Sequence, residues 1–315
     1  MNISVLDVSV YKKVIPFSLY DSSAFIELNR HKADAAYYFL FSNDKPRLAL
    51  VGGVRDHVLK LPFSASFCAF SKIGNCRIEH YYEAVSALVN WAQTHEIRQV
   101  VFSLPPLFYD VSHVSKMQNA LLGNGFTISA FDLNFEYFLA NHGPDYLNCI
   151  DRCARKNCRK AEKEGLAFEK TGDFAAVYET IRINRMERGF PLKMSLDEVK
   201  ATSQVIPTDL FMVKTPVGEI ASAAVTQHMN SKIVRVVYWG NPSAFEQLRP
   251  VNFLAWKLFD YYKKENFEII DIGISTVDGV PNHGLCAFKE SIGCSCSPKI
   301  TFSCYIDKKD GESDG

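Results

Sequence analysis

One order of elements occurs twice along this chain, and that repetition restricts the fold more than any composition figure. In the first half, the β-rich runs Tyr37–Phe41 and Arg47–Val51 are separated by Ser42-Asn-Asp-Lys-Pro46, a turn composition. A helix follows over about Tyr81–Thr94, with Ala84, Leu88 and Trp91 on one stripe, and then the apolar run Val100–Leu104. In the second half, Leu210–Val213, the turn Thr215–Gly218 and Ile220–Thr226 repeat the hairpin at an offset near 172. The helix ending at Tyr261 and Tyr262 and the strand Ile269–Ile274 repeat the rest at an offset near 170, which sets Leu258 against Leu88 and Phe267 against Ile97. Constant order and near-constant spacing across three elements point to a duplication of one α+β domain.

The break Asn141-His-Gly-Pro144 marks the linker, so the expected domains are 1–140 and 141–306, each a mixed sheet flanked by helices. Within the first, the pattern predicts a helix near Val114–Leu122, closed by Gly123 and Gly125, and two final strands around Thr127–Ala130 and Phe135–Leu139. A helix is predicted from about Pro144 to Glu164, with Leu147, Ile150, Ala154, Cys158 and Ala161 on a narrow apolar stripe. The charged tail 307–315 is expected to be disordered.

Composition excludes several classes of function. Of 315 residues 47% are hydrophobic and 13% aromatic, which supports two cores and rules out a disordered chain. Lys plus Arg and Asp plus Glu are 35 each, so no global charge draws the protein to nucleic acid or membrane and any electrostatic function must be local. No apolar run reaches the roughly 18 residues of a membrane span, and Met1–Pro16 lacks a signal-peptide core. Nine scattered cysteines suit a reducing compartment, so the cytoplasm is expected. Cys149, Cys153 and Cys158, and again Cys294, Cys296 and Cys304, lack the paired spacing of a zinc site, and no metal is expected.

The chemistry concentrates in 249–293. There a helix feeds the strand Ile269–Ile274, and a polar loop leads to Gly284-Leu-Cys-Ala-Phe288-Lys289-Glu-Ser-Ile-Gly293, read as a helix that starts at Phe-Lys. Upstream, Arg155-Lys-Asn-Cys-Arg159-Lys-Ala-Glu-Lys-Glu-Gly165 forms a basic helix segment. Both stretches resemble signatures of Fem-type peptidoglycan-bridge aminoacyltransferases, and more widely BioF-like acetyltransferase domains. That resemblance implies tandem GNAT-fold (acyl-CoA N-acyltransferase) domains, in agreement with the duplication, and acyl or aminoacyl transfer. Two departures stand out: no heptad arm for tRNA is present, and the turn Gly240–Pro250 has one glycine where single-domain GNAT enzymes cradle CoA pyrophosphate in a glycine-rich loop.

Acyl transfer needs aligned substrates, a base and donors for the developing oxyanion. By resemblance Lys289 is the Phe-Lys lysine that binds substrate or stabilises the tetrahedral intermediate; otherwise it is an exposed helix lysine. Asp271, inside an apolar strand, is either a base or a structural hydrogen-bonding group, because an unpaired carboxylate there is costly. His228 and His283 titrate near neutrality and are candidate bases, or satisfied structural residues. Tyr238 and Trp239 end a strand where GNAT folds splay two strands to admit the thioester arm, although core packing is the plainer role. Arg249 and Asn252, at a helix start after Gly240, are candidates for donor binding, Arg249 through phosphate. Arg152, Arg155 and Arg159 share one face at i, i+3, i+7, suited to phosphate of a small acceptor or to solvent alone.

The expectation is therefore a cytoplasmic acyltransferase moving an acyl group, acetyl first among them, from a thioester to an amine or hydroxyl by direct attack. No Ser/His or Cys/His arrangement argues for a covalent intermediate. Acyl-CoA is the expected donor co-substrate, with no tightly bound cofactor. The acceptor is expected to be a small molecule, a phosphate- or nucleotide-bearing one included, bound in a cleft lined mainly by the second domain. Fem-type transfer from aminoacyl-tRNA is the alternative, with tRNA not favoured, and a non-catalytic ligand-binding relative is a third.

Overall fold

The computed structural model describes residues 1–277 and 279–306, so the tail expected to be disordered at 307–315 lies outside the described residues. Two compact units emerge: Met1–Asp132 with the chain from Pro298 onward, and Leu133–Ser297. The boundary differs from the 140/141 break for a topological reason. In the first unit Gln99–Ser103 is flanked by Thr301–Tyr305, from the far end of the chain. In the second, Ile269–Ile274 is flanked by Asn134–Phe138, from the end of the first repeat. The residues 127–138 accordingly form one continuous strand, not the two short ones expected.

In the first unit the strands Asn2–Val5, Ala35–Ser42, Pro46–Arg55, Val58–Leu61, Gln99–Ser103 and the C-terminal strand Ser295–Tyr305 are neighbours in that order. The hairpin and the helix Ile78–Thr94 stand where the periodicity places them, and Ala84, Leu88 and Trp91 are buried. The strand Val58–Leu61 was not expected, being only four residues of alternating burial. It pairs parallel with Gln99–Phe102, so the helix between them is a crossover connection. After this strand the chain turns inward: Phe67, Cys68, Ala69 and Phe70 are fully buried, and the Cys68 N–H donates to Ser103 O at 3.0 Å. The C-terminal end of this parallel pair is thus filled by the unit's own chain.

The second unit repeats the plan. Its neighbours run from the strand Thr127–Phe138 through Ile269–Ile274, Ile233–Gly240, Ile220–His228 and Thr208–Lys214 to Ala167–Thr171. All pairs are antiparallel except Ile233–Gly240 with Ile269–Ile274, again joined through a helix, Pro250–Lys264. Leu254, Leu258 and Phe259 of that helix pack on Val234, Val236, Ile270 and Ile272. The opposite face receives the helix Phe174–Glu187, whose Val177 and Ile181 meet Leu210, Met212, Ala223 and Val225. The single helix expected over 144–164 is broken: Tyr146–Cys149 and Arg152–Lys163 are separated at Ile150 and Asp151, where the buried Ile150 side chain is held against the core in extended backbone.

Candidate active site

The parallel pair of the second unit stays in register for three rungs only, Ile233 with Ile269, Val234 with Ile270 and Arg235 with Asp271. Beyond Asp271 the two strands part, leaving Val236–Gly240 on one side and Ile272–Ile274 on the other. Each strand carries an irregularity at that point. Val237 is an extra residue against the neighbouring strand, since Thr226 faces Val236 while Val225 faces Tyr238. Such a bulge reverses the side-chain alternation. It turns Tyr238 to the face of helix Phe174–Glu187 and Trp239 to the other, where it meets Phe288 edge-on at 5.9 Å. On the partner strand the register shifts between Asp271 and Gly273, and Gly273 has φ +82, a conformation that side-chain-bearing residues rarely adopt.

A row of polar side chains crosses the sheet at the point of divergence. Glu136, Asp271, Arg235 and Gln227 lie opposite one another on four neighbouring strands, all under one-tenth exposed. Asp271 is ion-paired with Arg235 Nη1, and its other oxygen accepts from Asn134 Nδ2 and from the Gly273 N–H, both at 2.9 Å. Both oxygens of this carboxylate are therefore engaged. Glu136 Oε2 accepts from Ser297 Oγ at 2.8 Å. Burial, opposed by that bond and reinforced by the Asp271 charge, lifts the Glu136 carboxyl to about 7.

Lys289 belongs to this row rather than to the surface. The helix that carries it starts at His283, not at Phe288, because the Asn282 side chain caps it by accepting from the Leu285 N–H at 3.0 Å. Lys289 consequently sits in the second turn, 2% exposed, and its ammonium donates to Gly273 O at 2.7 Å and Ile274 O at 3.0 Å. Burial brings it down to about 8, against the pull of Cys294 and Asp271. It thereby ties down the two carbonyls at the bend of Gly273.

The remaining candidates scatter. His283 is exposed at the first residue of its helix. His228 pairs with Val234, at the other end of the strand that carries Tyr238, roughly 13 Å away by strand rise. There its Nε2 donates to Asp209 Oδ2 at 2.8 Å, while Lys170 and Tyr262 reach the same carboxylate at 2.6 and 3.0 Å. Burial raises the Asp209 carboxyl, but these three partners together bring it down to about 2. This is a structural hub on the far end of the sheet. Arg249 is exposed, with φ 59, immediately before Pro250 opens its helix. Asn252 is buried and ties two helices together, accepting from Asn157 Nδ2 at 3.3 Å and, at its carbonyl, from Cys158 Sγ at 3.4 Å. Arg152 and Arg159 are exposed and Arg155 half-buried on the helix Arg152–Lys163.

Sequence reasoning missed Arg235 and Glu136. Arg235 is the one charged residue within Ile233–Gly240, and that was the available signal. Glu136 offered the same signal, as the one charged residue of the expected strand Phe135–Leu139. Among the described residues no group of His, Cys, Asp and Glu is arranged to hold a metal ion, and no helix is long and apolar enough to cross a membrane.

No family model and no curated protein matches the chain. Solved structures do. FemX matches with a TM-score of 0.70 at 14% identity, covering 98% of each chain. A tandem GNAT protein from the clavulanic acid biosynthesis pathway matches at 0.55 and 10% identity, covering 98% of this chain and 99% of that one. The protein has a tandem GNAT, Fem-like fold. In GNAT terms the diverging strands Ile233–Gly240 and Ile269–Ile274 are the splayed pair of the second repeat, and the first repeat's pair is the one closed by Phe67–Phe70. The C-terminal domain assigned to a lysylphosphatidylglycerol synthetase from Agrobacterium fabrum also matches, with a TM-score of 0.61 at 13% identity, covering 94% of this chain and 91% of that one. Identities this low carry the fold and nothing finer.

Proposed function

We propose that the protein is an acyltransferase whose reaction centre is the splayed pair of the second unit, with acyl-CoA as donor and an amine or hydroxyl as acceptor. The observation that carries this is the parting of two parallel strands directly past the buried Arg235–Asp271 pair. Parted strands leave backbone N–H and C=O groups without ladder partners, and an extended thioester arm can take them up. The acceptor heteroatom attacks the thioester carbonyl, a C–N or C–O bond forms as the C–S bond breaks, and the acceptor's proton ends on the departing thiol. Glu136, held near neutrality by its surroundings, has the proton affinity that base work at pH 7 requires. Lys289 acts as a positioning residue, because its ammonium is spent on the Gly273 and Ile274 carbonyls.

Thermal melting with acetyl-CoA, longer acyl-CoAs and an acyl-carrier thioester tests the donor, since a ligand that binds only the folded state must raise the melting temperature. A rise of several degrees, followed by acyl transfer to a panel of amines and alcohols, is the expected result. No shift with any thioester would remove the CoA reading.

Transfer from aminoacyl-tRNA is favoured by a separate observation. Arg152, Arg155, Lys156, Arg159, Lys160 and Lys163 lie on one twelve-residue helix, and none of them is in an ion pair among the described residues. tRNA retention that weakens steeply with salt and is lost in Arg152→Glu/Arg159→Glu would support that reading. Retention unchanged by those substitutions would discard it.

A further inference from the structure

Two aromatic side chains meet across the splay of the second unit, one from each bank. Trp239 belongs to Ile233–Gly240 and lies opposite Ala224 of the next strand. Phe288 belongs to the helix His283–Ser291, which is tied to the other bank at several points. Lys289 bonds to Gly273 O and Ile274 O, and Cys286 Sγ donates to Ser275 O at 3.8 Å. The Asn282 N–H, just before the helix, donates to the same Ser275 carbonyl at 2.8 Å. The two rings stand 5.9 Å apart, edge to face at 68°. Among the described residues no backbone pairing joins the two strands beyond Arg235 and Asp271, so the rings touch where the ladder has already ended.

Exposure places this contact at the rim. Arg235 and Asp271 on the floor, and Val236 and Ile272 one residue on, are buried. Trp239 and Phe288 are half-buried and pack on the outside of the cluster that contains Val236 and Ile272. From Arg235 to Trp239 is roughly 13 Å of strand. Solvent reaches both rings, and a chain entering along the strands toward the floor meets them first. It cannot pass between them as they stand, because van der Waals contact with a ring on each side needs about 7–8 Å. Trp239 is fixed in a strand paired on its far side. Phe288 is one χ1 rotation from leaving, since the helix holds its backbone and its neighbours Ala287 and Glu290 are exposed. Beyond the burial of its surface, an edge-on aromatic pair is worth only about two- to tenfold in an equilibrium, which a bound ligand overcomes.

We propose that Trp239 and Phe288 form a gate for the donor, in which Phe288 swings out and the chain carrying the thioester takes its place against the Trp239 indole. The donor class is a thioester on a linear chain of methylenes and amides. Its amides meet the unpaired backbone edge of Val236–Trp239 while its methylenes lie on the indole. This role rests on the acyltransferase reading of the same strands.

The test uses the full chain labelled with 5-fluorotryptophan, in which Trp239→Phe identifies one fluorine resonance among those of the three tryptophans. Without ligand, Phe288→Leu is expected to move the Trp239 resonance, because the phenyl ring against the indole is gone. Acetyl-CoA and, separately, pantetheine should move the wild-type resonance saturably, toward its position in ligand-free Phe288→Leu. With no closed pair to part, Phe288→Ala and Phe288→Leu should bind acetyl-CoA about two- to tenfold more tightly than wild type. Trp239→Ala removes the platform and should bind it more than about tenfold more weakly. If Phe288→Ala does not fold, Phe288→Leu, which keeps the apolar bulk, decides alone. Melting curves recorded in parallel separate the two failures. If acetyl-CoA raises the melting temperature but leaves the Trp239 resonance unmoved, or if Phe288→Leu binds no more tightly than wild type, the gate is overturned and the donor reading stands. If no thioester raises the melting temperature, the donor reading falls and the gate falls with it.

Discussion

Asp271 and Arg235 form an ion pair across the last rung of the parallel ladder, with Asp271 fully buried, and the strands separate immediately beyond them. The pair closes the floor of the splay, and its strength decides how firmly the two strands are held where they must stop being a sheet. Removing one partner strands a buried charge, at about 3–5 kcal/mol. Arg235→Met should lower urea-denaturation stability by that amount. Asp271→Asn added to it should restore part of the loss, and a double variant no better than the single one would show that the pair is not the coupled unit described.

Lys289 makes two charge-assisted bonds to carbonyls, each worth about 1.5–3 kcal/mol. Lys289→Met keeps the bulk and loses both bonds but no longer buries a charge, which offsets part of the loss, so a net loss of about 2 kcal/mol in stability and at least tenfold in transfer rate is expected. Because burial holds the ammonium at about 8, the wild-type kcat should decline above that pH. A profile flat to pH 10 would mean the charge has no part in turnover.

The buried carboxyls make stability depend on pH near neutrality. Glu136 in the second unit is lifted to about 7 by burial with the Asp271 charge, and Asp21 in the first to about 7 by burial. A carboxyl raised on folding binds its proton more tightly in the native state, so its contribution is complete below the unfolded pKa near 4 and fades as pH rises through 7. The melting temperature should fall between pH 5 and 8, by the equivalent of about 3 kcal/mol per group. Glu136→Gln and Asp21→Asn should each flatten that slope, and unchanged slopes in both would contradict the assignment.

His228 serves the Asp209 hub and not the splay. His228→Ala should cost stability, visible as several degrees in melting temperature, while kcat changes less than about twofold, because roughly 13 Å of strand separates it from Tyr238. A fall of a hundredfold in kcat with normal melting would return His228 to the reaction. Asp209→Asn should cost more, since His228, Lys170 and Tyr262 all converge on it.

Much of the architecture was legible in the order of residues. Hairpins at Tyr37–Val51 and Leu210–Thr226, crossover helices before Val100 and Ile269, and the duplicated plan follow from local periodicity, which neighbours in sequence carry by themselves. The identity of the buried strand around Asp271 came from the same source, while the choice between a base and a structural hydrogen-bonding group at that carboxylate stayed open. Pairing partners distant in sequence were not legible. That Asn134–Phe138 flanks Ile269–Ile274, and Thr301–Tyr305 flanks Gln99–Ser103, depends on contacts more than a hundred residues apart. Tertiary structure alone decided that Glu136 faces Asp271 and that a bulge at Val237 turns Tyr238 to the face covered by helix Phe174–Glu187. It also decided that Lys289 is folded inward, and that His228 lies at the other end of its strand pair from Tyr238. Periodicity states which side of an element is apolar; which charges meet on the polar side is settled only when the strands are aligned.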